Sequence, residues 1–146
     1  MSSDSDWIQN TLEMAAERVS DLSPMVYQRF FAAHPEATEL FGNDEGNMIK
    51  GHMLNGILFA IMEQAEGSRQ PHSASYWASD HVAFGVSMPM VASMFSALID
   101  SLAHCLGEDW HALMALAWRR QIDLMLPHIE GALASPRPII NMSDSA

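Results

Sequence analysis

Apolar positions along the chain recur every three or four residues, and no convincing run of period-two alternation interrupts them, so the pattern predicts an all-α protein. Ile8, Leu12, Ala15 and Val19 stand at i, i+4, i+7 and i+11 and share one helical face. Ser23 followed by Pro24 has the form of an N-cap with proline in the first turn, opening a second helix that carries Met25, Val26, Phe30 and Phe31. That helix should stop near His34-Pro35, because proline disfavours helix in the residue before it. Residues 42–47, Gly-Asn-Asp-Glu-Gly-Asn, form a turn-rich, acidic connection. Met53, Leu54, Ile57, Ala60 and Ile61 then make an apolar stripe that runs to Gly67, where a polar loop begins. A shorter block from Ser73 to Phe84 ends at Gly85. Two long helices follow, one from about Ser87 to Gly107 with Pro89 in its first turn, the other from about Asp109 to Leu133. Val91, Met94, Phe95, Leu98 and Leu102 mark the inner face of the first; Leu113, Ala117, Trp118, Ile122, Met125 and Ile129 mark that of the second.

At 146 residues the chain is the size of one domain that can bury a core without disulfides or a structural metal. Residues 1–135 should form it, with 136–146 a short tail that frays. The single cysteine, Cys105, has no second thiol to pair with and sits in an apolar stretch, which excludes disulfide and Cys-rich zinc frameworks. No basic-then-apolar leader stands at the N-terminus, and polar residues interrupt the apolar runs, so the expectation is a cytoplasmic protein without a membrane partner. Eighteen acids against seven bases give a formal charge of −11, a surface that repels phosphate backbones and argues against nucleic acid. Lys50 is the only lysine; the other six bases are arginines. Twelve methionines suit irregular gaps in a core, or a soft lining for a large flat apolar ligand.

No HExxH, P-loop, GxSxG or paired-cysteine motif is present, so the usual signatures of hydrolases, NTPases and zinc sites are missing. Seven histidines remain. His34, His72, His104, His111 and His128 lie at turns or among polar neighbours, whereas His52 and His81 lie on different amphipathic blocks near their inward faces. Residue pattern alone therefore gives a helical domain with a candidate ligand histidine.

Two separated motifs carry a resemblance. Val26-Tyr-Gln-Arg-Phe-Phe-Ala-Ala-His-Pro-Glu-Ala-Thr-Glu-Leu-Phe41, followed by Asp80-His-Val-Ala-Phe-Gly-Val86, resembles the bacterial single-domain globins. The first stretch is similar to the family's second helix and corner, with proline at the corner and an aromatic six residues later. The second is similar to its proximal segment, a histidine followed four and five residues on by Gly-Val. Trp118 matches a tryptophan often found in the last helix of bacterial members, and the resemblance runs from about residue 6 to 133.

The resemblance implies a globin fold of about seven or eight helices around haem b (iron protoporphyrin IX). It makes His81 the axial iron ligand, Phe41 the aromatic that presses on the haem, and Tyr27, fourteen residues earlier, the distal tyrosine. A neutral imidazole is a good ligand for haem iron, and a single protein ligand leaves the opposite face open to a diatomic gas such as dioxygen, NO or CO. Phe84, Val86, Phe95 and Leu98 would help to line the slot, each having an equally plain reading as ordinary core. Dioxygen draws negative charge onto its outer atoms when bound, so a Tyr27 hydroxyl donor would strengthen its binding by ~1.5–3 kcal/mol.

The distal helix admits two registers. Turning Met53, Leu54, Ile57 and Ile61 inward puts Ile49 at the gatekeeping place, Met53 one turn further, and His52 toward the pocket mouth. The other register makes His52 the gatekeeper, twenty-nine residues before His81, but turns Glu63 and Gln64 toward the core, and burying unpaired polar groups costs several kcal/mol. The first is favoured, leaving His52 to swing in, bind a propionate or coordinate ferric iron. Lys50 could reach a haem propionate or be a solvated lysine.

The implied function is reversible binding of a diatomic gas, or consumption of nitric oxide by bound dioxygen with electrons from a separate reductase. The tyrosine that flavohaemoglobins carry ten residues after the proximal histidine is here Val91, which argues against dedicated dioxygenase or peroxidase chemistry. The alternative is a gas or redox sensor signalling through a protein partner. Whether the chain is a monomer or a homodimer stays open.

Overall fold

A computed structural model describes residues 3–41, 48–67 and 87–134, and every regular element among them is helical. Helix α1 (Asp4–Arg18) opens on a reciprocal cap. The Ser3 hydroxyl accepts from the Asp6 N–H and the Asp6 carboxylate accepts from the Ser3 N–H, both at 3.2 Å. Helix α2 (Ser23–Ala33) begins one residue earlier than its Ser-Pro pair suggests. Ser23 is its first helical residue, Leu22 is the cap residue, and the Asp21 carboxylate takes the Ser23 N–H at 3.0 Å. The helix stops before His34, as Pro35 requires, and a 3₁₀ segment, Pro35–Phe41, carries the chain round the corner.

Helix α3 (Met48–Ala65) follows, and α4 (Met88–Leu106) starts from Ser87, whose hydroxyl accepts from the Met90 N–H. Gly107 ends α4 with a φ of 54°, a left-handed conformation that a side chain would resist. Arg18 donates to the Cys105 and Leu106 carbonyls at 3.2 and 2.7 Å, supplying donors that the end of a helix lacks, and pairs with Asp109. Residues Gly107–Asp109 form a 3₁₀ turn, so the last helix, α5 (Ala112–Ala134), begins about three residues later than its pattern suggests. The described residues thus hold five α-helices and two 3₁₀ segments; the Ser73–Phe84 block and the tail from Pro136 lie outside them.

Helix α2 packs along α4 and α1 along α5, while α3 touches α1, α2 and α5. The core between them takes Ile8, Val26, Phe30, Leu54, Ile57, Ile61, Phe95, Leu98, Leu102 and Ile129. Helix α5 corrects the expected inner face. Met114, Ala117, Trp118, Ile122, Met125 and Ile129 are buried, but Leu113 is 56% exposed. At about 100° per residue Leu113 lies roughly 110° from the centre of that buried arc, past its edge, and Met114 takes the core place one turn before Trp118. Pro127 lies inside α5 on the exposed side, where the Asp123 carbonyl it leaves without a helical donor can meet water.

The segment Met88–Asp109 is long and apolar enough to cross a membrane, with a mean hydropathy of 1.4, contrary to the expectation that every apolar run is interrupted. Half of that window is buried against the other helices, the pattern of a core helix.

A fully buried polar tie joins α1 to α5. Trp118 is fully buried and its indole N–H donates to the Thr11 hydroxyl at 3.0 Å; Thr11, itself fully buried, donates to the Trp7 carbonyl at 2.6 Å. Replacing Thr11 by valine keeps the shape and strands the indole N–H. Thr11→Val should destabilise the fold by about 1–3 kcal/mol in urea unfolding, with the helical circular dichroism of the native state unchanged.

Candidate functional site

Three aromatic rings meet where α2, the Pro35–Phe41 turn and α3 converge. Tyr27 and Phe31 stand one helical turn apart on α2, and the corner at Pro35 brings Phe41 back against both. The Tyr27 and Phe41 ring centroids are 5.3 Å apart and nearly perpendicular, Phe31 and Phe41 are 5.6 Å apart, and Tyr27 and Phe31 5.7 Å. These are edge-to-face and tilted contacts of the kind that aromatic quadrupoles favour. Tyr27 is only 2% exposed, and its hydroxyl donates to the Lys50 carbonyl on α3 at 3.0 Å. The Lys50 ammonium lies 5.4 Å from the centre of the Phe41 ring, so the only lysine caps the cluster as a cation over an aromatic face.

The remaining residues singled out from the sequence divide into three groups. Phe95 and Leu98 are buried on α4. On α3, Leu54, Ile57, Ala60 and Ile61 face the core, Met53 is half-buried, and Ile49 and His52 are exposed. Glu63 and Gln64 are both half-buried, and the Gln64 side-chain oxygen is enclosed without a hydrogen-bond donor among the described residues. His81, Phe84 and Val86 lie outside the described residues. Among those that are described, no three His, Cys, Asp or Glu side chains gather to hold a metal ion.

Two features of this region escape sequence reasoning. Phe31 reads there only as an apolar position, although its i+4 relation to Tyr27 is a usable signal. The second is His34, whose Nδ1 lies 2.9 Å from the Glu36 carboxylate and whose Nε2 lies 2.8 Å from the Ser93 hydroxyl on α4. A carboxylate only accepts, so Nδ1 carries the proton and, in the neutral ring, Nε2 accepts from Ser93. The order serine, histidine, carboxylate is that of an activated nucleophile. Ser93 sits within α4, however, where the surrounding N–H groups serve the helix itself and offer no free pair to an oxyanion. The arrangement ties α2 to α4.

Neither a protein-family model nor a curated protein matches the chain.

The hydrogen bond from His34 holds the Glu36 carboxyl below its usual value of 4.5. A lowered carboxylate pKa means a contribution to stability that is present above the ordinary value and is lost as pH falls through the folded value. A Glu36→Gln variant should therefore be less stable than the parent near neutral pH and indistinguishable from it in strong acid, read by denaturant titrations at several pH values. Within the ring cluster, Phe41→Ala should cost about 3–5 kcal/mol through the cavity it leaves. Tyr27→Phe removes one hydrogen bond and should cost only about 0.5–1.5 kcal/mol on the same urea assay.

Proposed function

We propose that the chain is a haem-binding globin that reversibly binds dioxygen or another diatomic gas such as NO or CO, and that any turnover of nitric oxide draws electrons from a separate reductase. The observation that carries this reading is the contact between Tyr27 and Phe41. Two positions that the family resemblance singles out, fourteen residues apart, meet in one buried cluster with a single hydroxyl in its wall. An apolar, aromatic cluster with a phenolic hydroxyl among its rings fits the chemistry of the gas-binding side of a haem.

On this reading His81 would hold the iron through a neutral imidazole nitrogen, Phe41 would press on the macrocycle, and Phe84, Val86, Phe95 and Leu98 would help to keep the slot dry. The haem would supply an iron centre that accepts a diatomic ligand. The rest falls to the protein. Tyr27 has one phenolic proton, engaged with the Lys50 carbonyl. Donation to a gas molecule must exchange one bond for another, so the gain is the difference between a charge-assisted and a neutral hydrogen bond. That difference is about 1.4 kcal/mol, or roughly tenfold in affinity, at the low end of the range for a free hydroxyl. His52 would stand at the mouth of such a pocket; Ile49, expected at the gatekeeping place, is 49% exposed at the start of α3 and would stand at the rim beside it, and Lys50 could exchange its place over Phe41 for a propionate.

The deciding experiment is an absorption spectrum of the purified protein with added haem, reduced and then exposed to oxygen, beside His81→Ala and Tyr27→Phe. A Soret band and a stable oxygenated spectrum are expected in the parent, no oxygenated spectrum in His81→Ala, and about tenfold weaker oxygen binding in Tyr27→Phe. Absence of a Soret band in the parent sinks the haem reading altogether.

A further inference from the structure

The outward side of α5 carries a line of apolar side chains that nothing among the described residues covers. Leu113, Leu116 and Leu124 are 56%, 49% and 50% exposed, and Arg120 and Pro127 are exposed between and beyond them. One exposed leucine is ordinary; three within an arc of about 80° on one helix form a patch.

The order of residues along that line is self-complementary on reversal. Arg120 is its midpoint: Leu116 and Leu124 stand four residues to either side, and Leu113 and Pro127 stand seven. An antiparallel copy of α5, related by a two-fold axis at Arg120, therefore sets Leu116 against Leu124 of the other copy and Leu113 against its Pro127, in both directions at once. The flanks agree. Arg119 and Asp123 are exposed on the same side of the stripe, one turn apart. The two-fold sets each Arg119 beside Asp123 of the second copy, offset by about 3 Å along the helix, whereas a parallel two-fold would carry this flank to opposite sides of the interface and leave the acid and base apart. At the axis, the Arg120 guanidinium donates to its own chain's Asp4 at 2.9 Å, so its charge is met before two copies approach.

We propose that this face of α5 docks a second copy of the chain, forming a two-fold antiparallel homodimer. A foreign apolar helix would fill the leucine line but would have no reason to match acid and base at these reversed positions. The inference uses no residue of the haem reading and stands or falls separately. One helix pair buries less than the roughly 1,200–2,000 Å² of a standard interface, which places the dissociation constant in the micromolar range.

Sedimentation equilibrium of the full chain tests it. The parent should show dimer mass at about 100 µM, and Leu116→Asp, present twice in the interface, should be largely monomeric there with unchanged circular dichroism, a weakening of about a thousandfold or more. Arg119→Glu and Asp123→Arg should each weaken the dimer about tenfold alone, and an equimolar mixture of the two should recover it, because each then meets its opposite charge. In a Cys105→Ser background, Leu116→Cys and Leu124→Cys should form a disulfide-linked dimer when mixed and not singly. A monomeric parent at about 100 µM, a dimer indifferent to Leu116→Asp, or mixed variants that neither recover nor cross-link would overturn the proposal.

Discussion

A tryptophan can be buried completely only where its N–H has somewhere to go, and in this chain that place is the Thr11 hydroxyl. The requirement fixes the rotation of α5 about its own axis. With Trp118 turned to α1, Asp4 at the start of α1 comes within reach of the Arg120 guanidinium and the Gln121 amide, which donate to it at 2.9 and 2.7 Å. The same rotation decides what α5 shows to solvent. At about 100° per residue, Pro127 lies directly opposite Trp118, and Leu116 and Arg120 lie within about 20° of that direction. The exposed leucine line is the back of the face that the indole bond selects.

That dependence explains which parts of the fold can be read along the chain. Helix boundaries set by local chemistry are legible: the Ser87 cap, Pro89 in the first turn and the positive φ at Gly107 bracket α4 where the sequence puts them. Boundaries set by competing local options are less so. Ser23 has a neighbour, Asp21, whose carboxylate accepts a helix-start N–H just as well, and the cap shifts by one residue. Rotation of a helix is harder still, because Leu113 and Met114 are equally apolar and only the demand of Trp118 for Thr11, 107 positions away, turns one in and the other out.

The candidate site divides along the same line. Spacing and a resemblance mark Tyr27 and Phe41 as candidates, and the structure brings their two rings into contact. The acceptor for Tyr27 is a main-chain carbonyl on another helix, and every residue has one, so no pattern of residue types points to Lys50 in that role. The pairing of His34 with Ser93 spans 59 positions and is equally invisible in one dimension, because serine on the side of a helix has many uses. Side-chain identity is encoded in sequence motifs; partners supplied by the backbone or across helices emerge only from packing.

Net charge sets the remaining constraint on the proposed dimer. A chain of formal charge −11 repels its own copies, yet the Debye length in physiological salt is about 8 Å, so that repulsion acts mainly among charges near the contact. There the balance differs from that of the whole: Arg119 and Arg120, two of only seven bases, stand exposed on α5 against two acids, Asp123 and Glu130. With Arg120 held by Asp4 and Arg119 facing a carboxylate across the axis, local attraction opposes a screened global repulsion. Association on this face should therefore respond weakly to moderate salt, because screening weakens the attractive pairs and the distant repulsion together while the burial of leucine is largely indifferent to it.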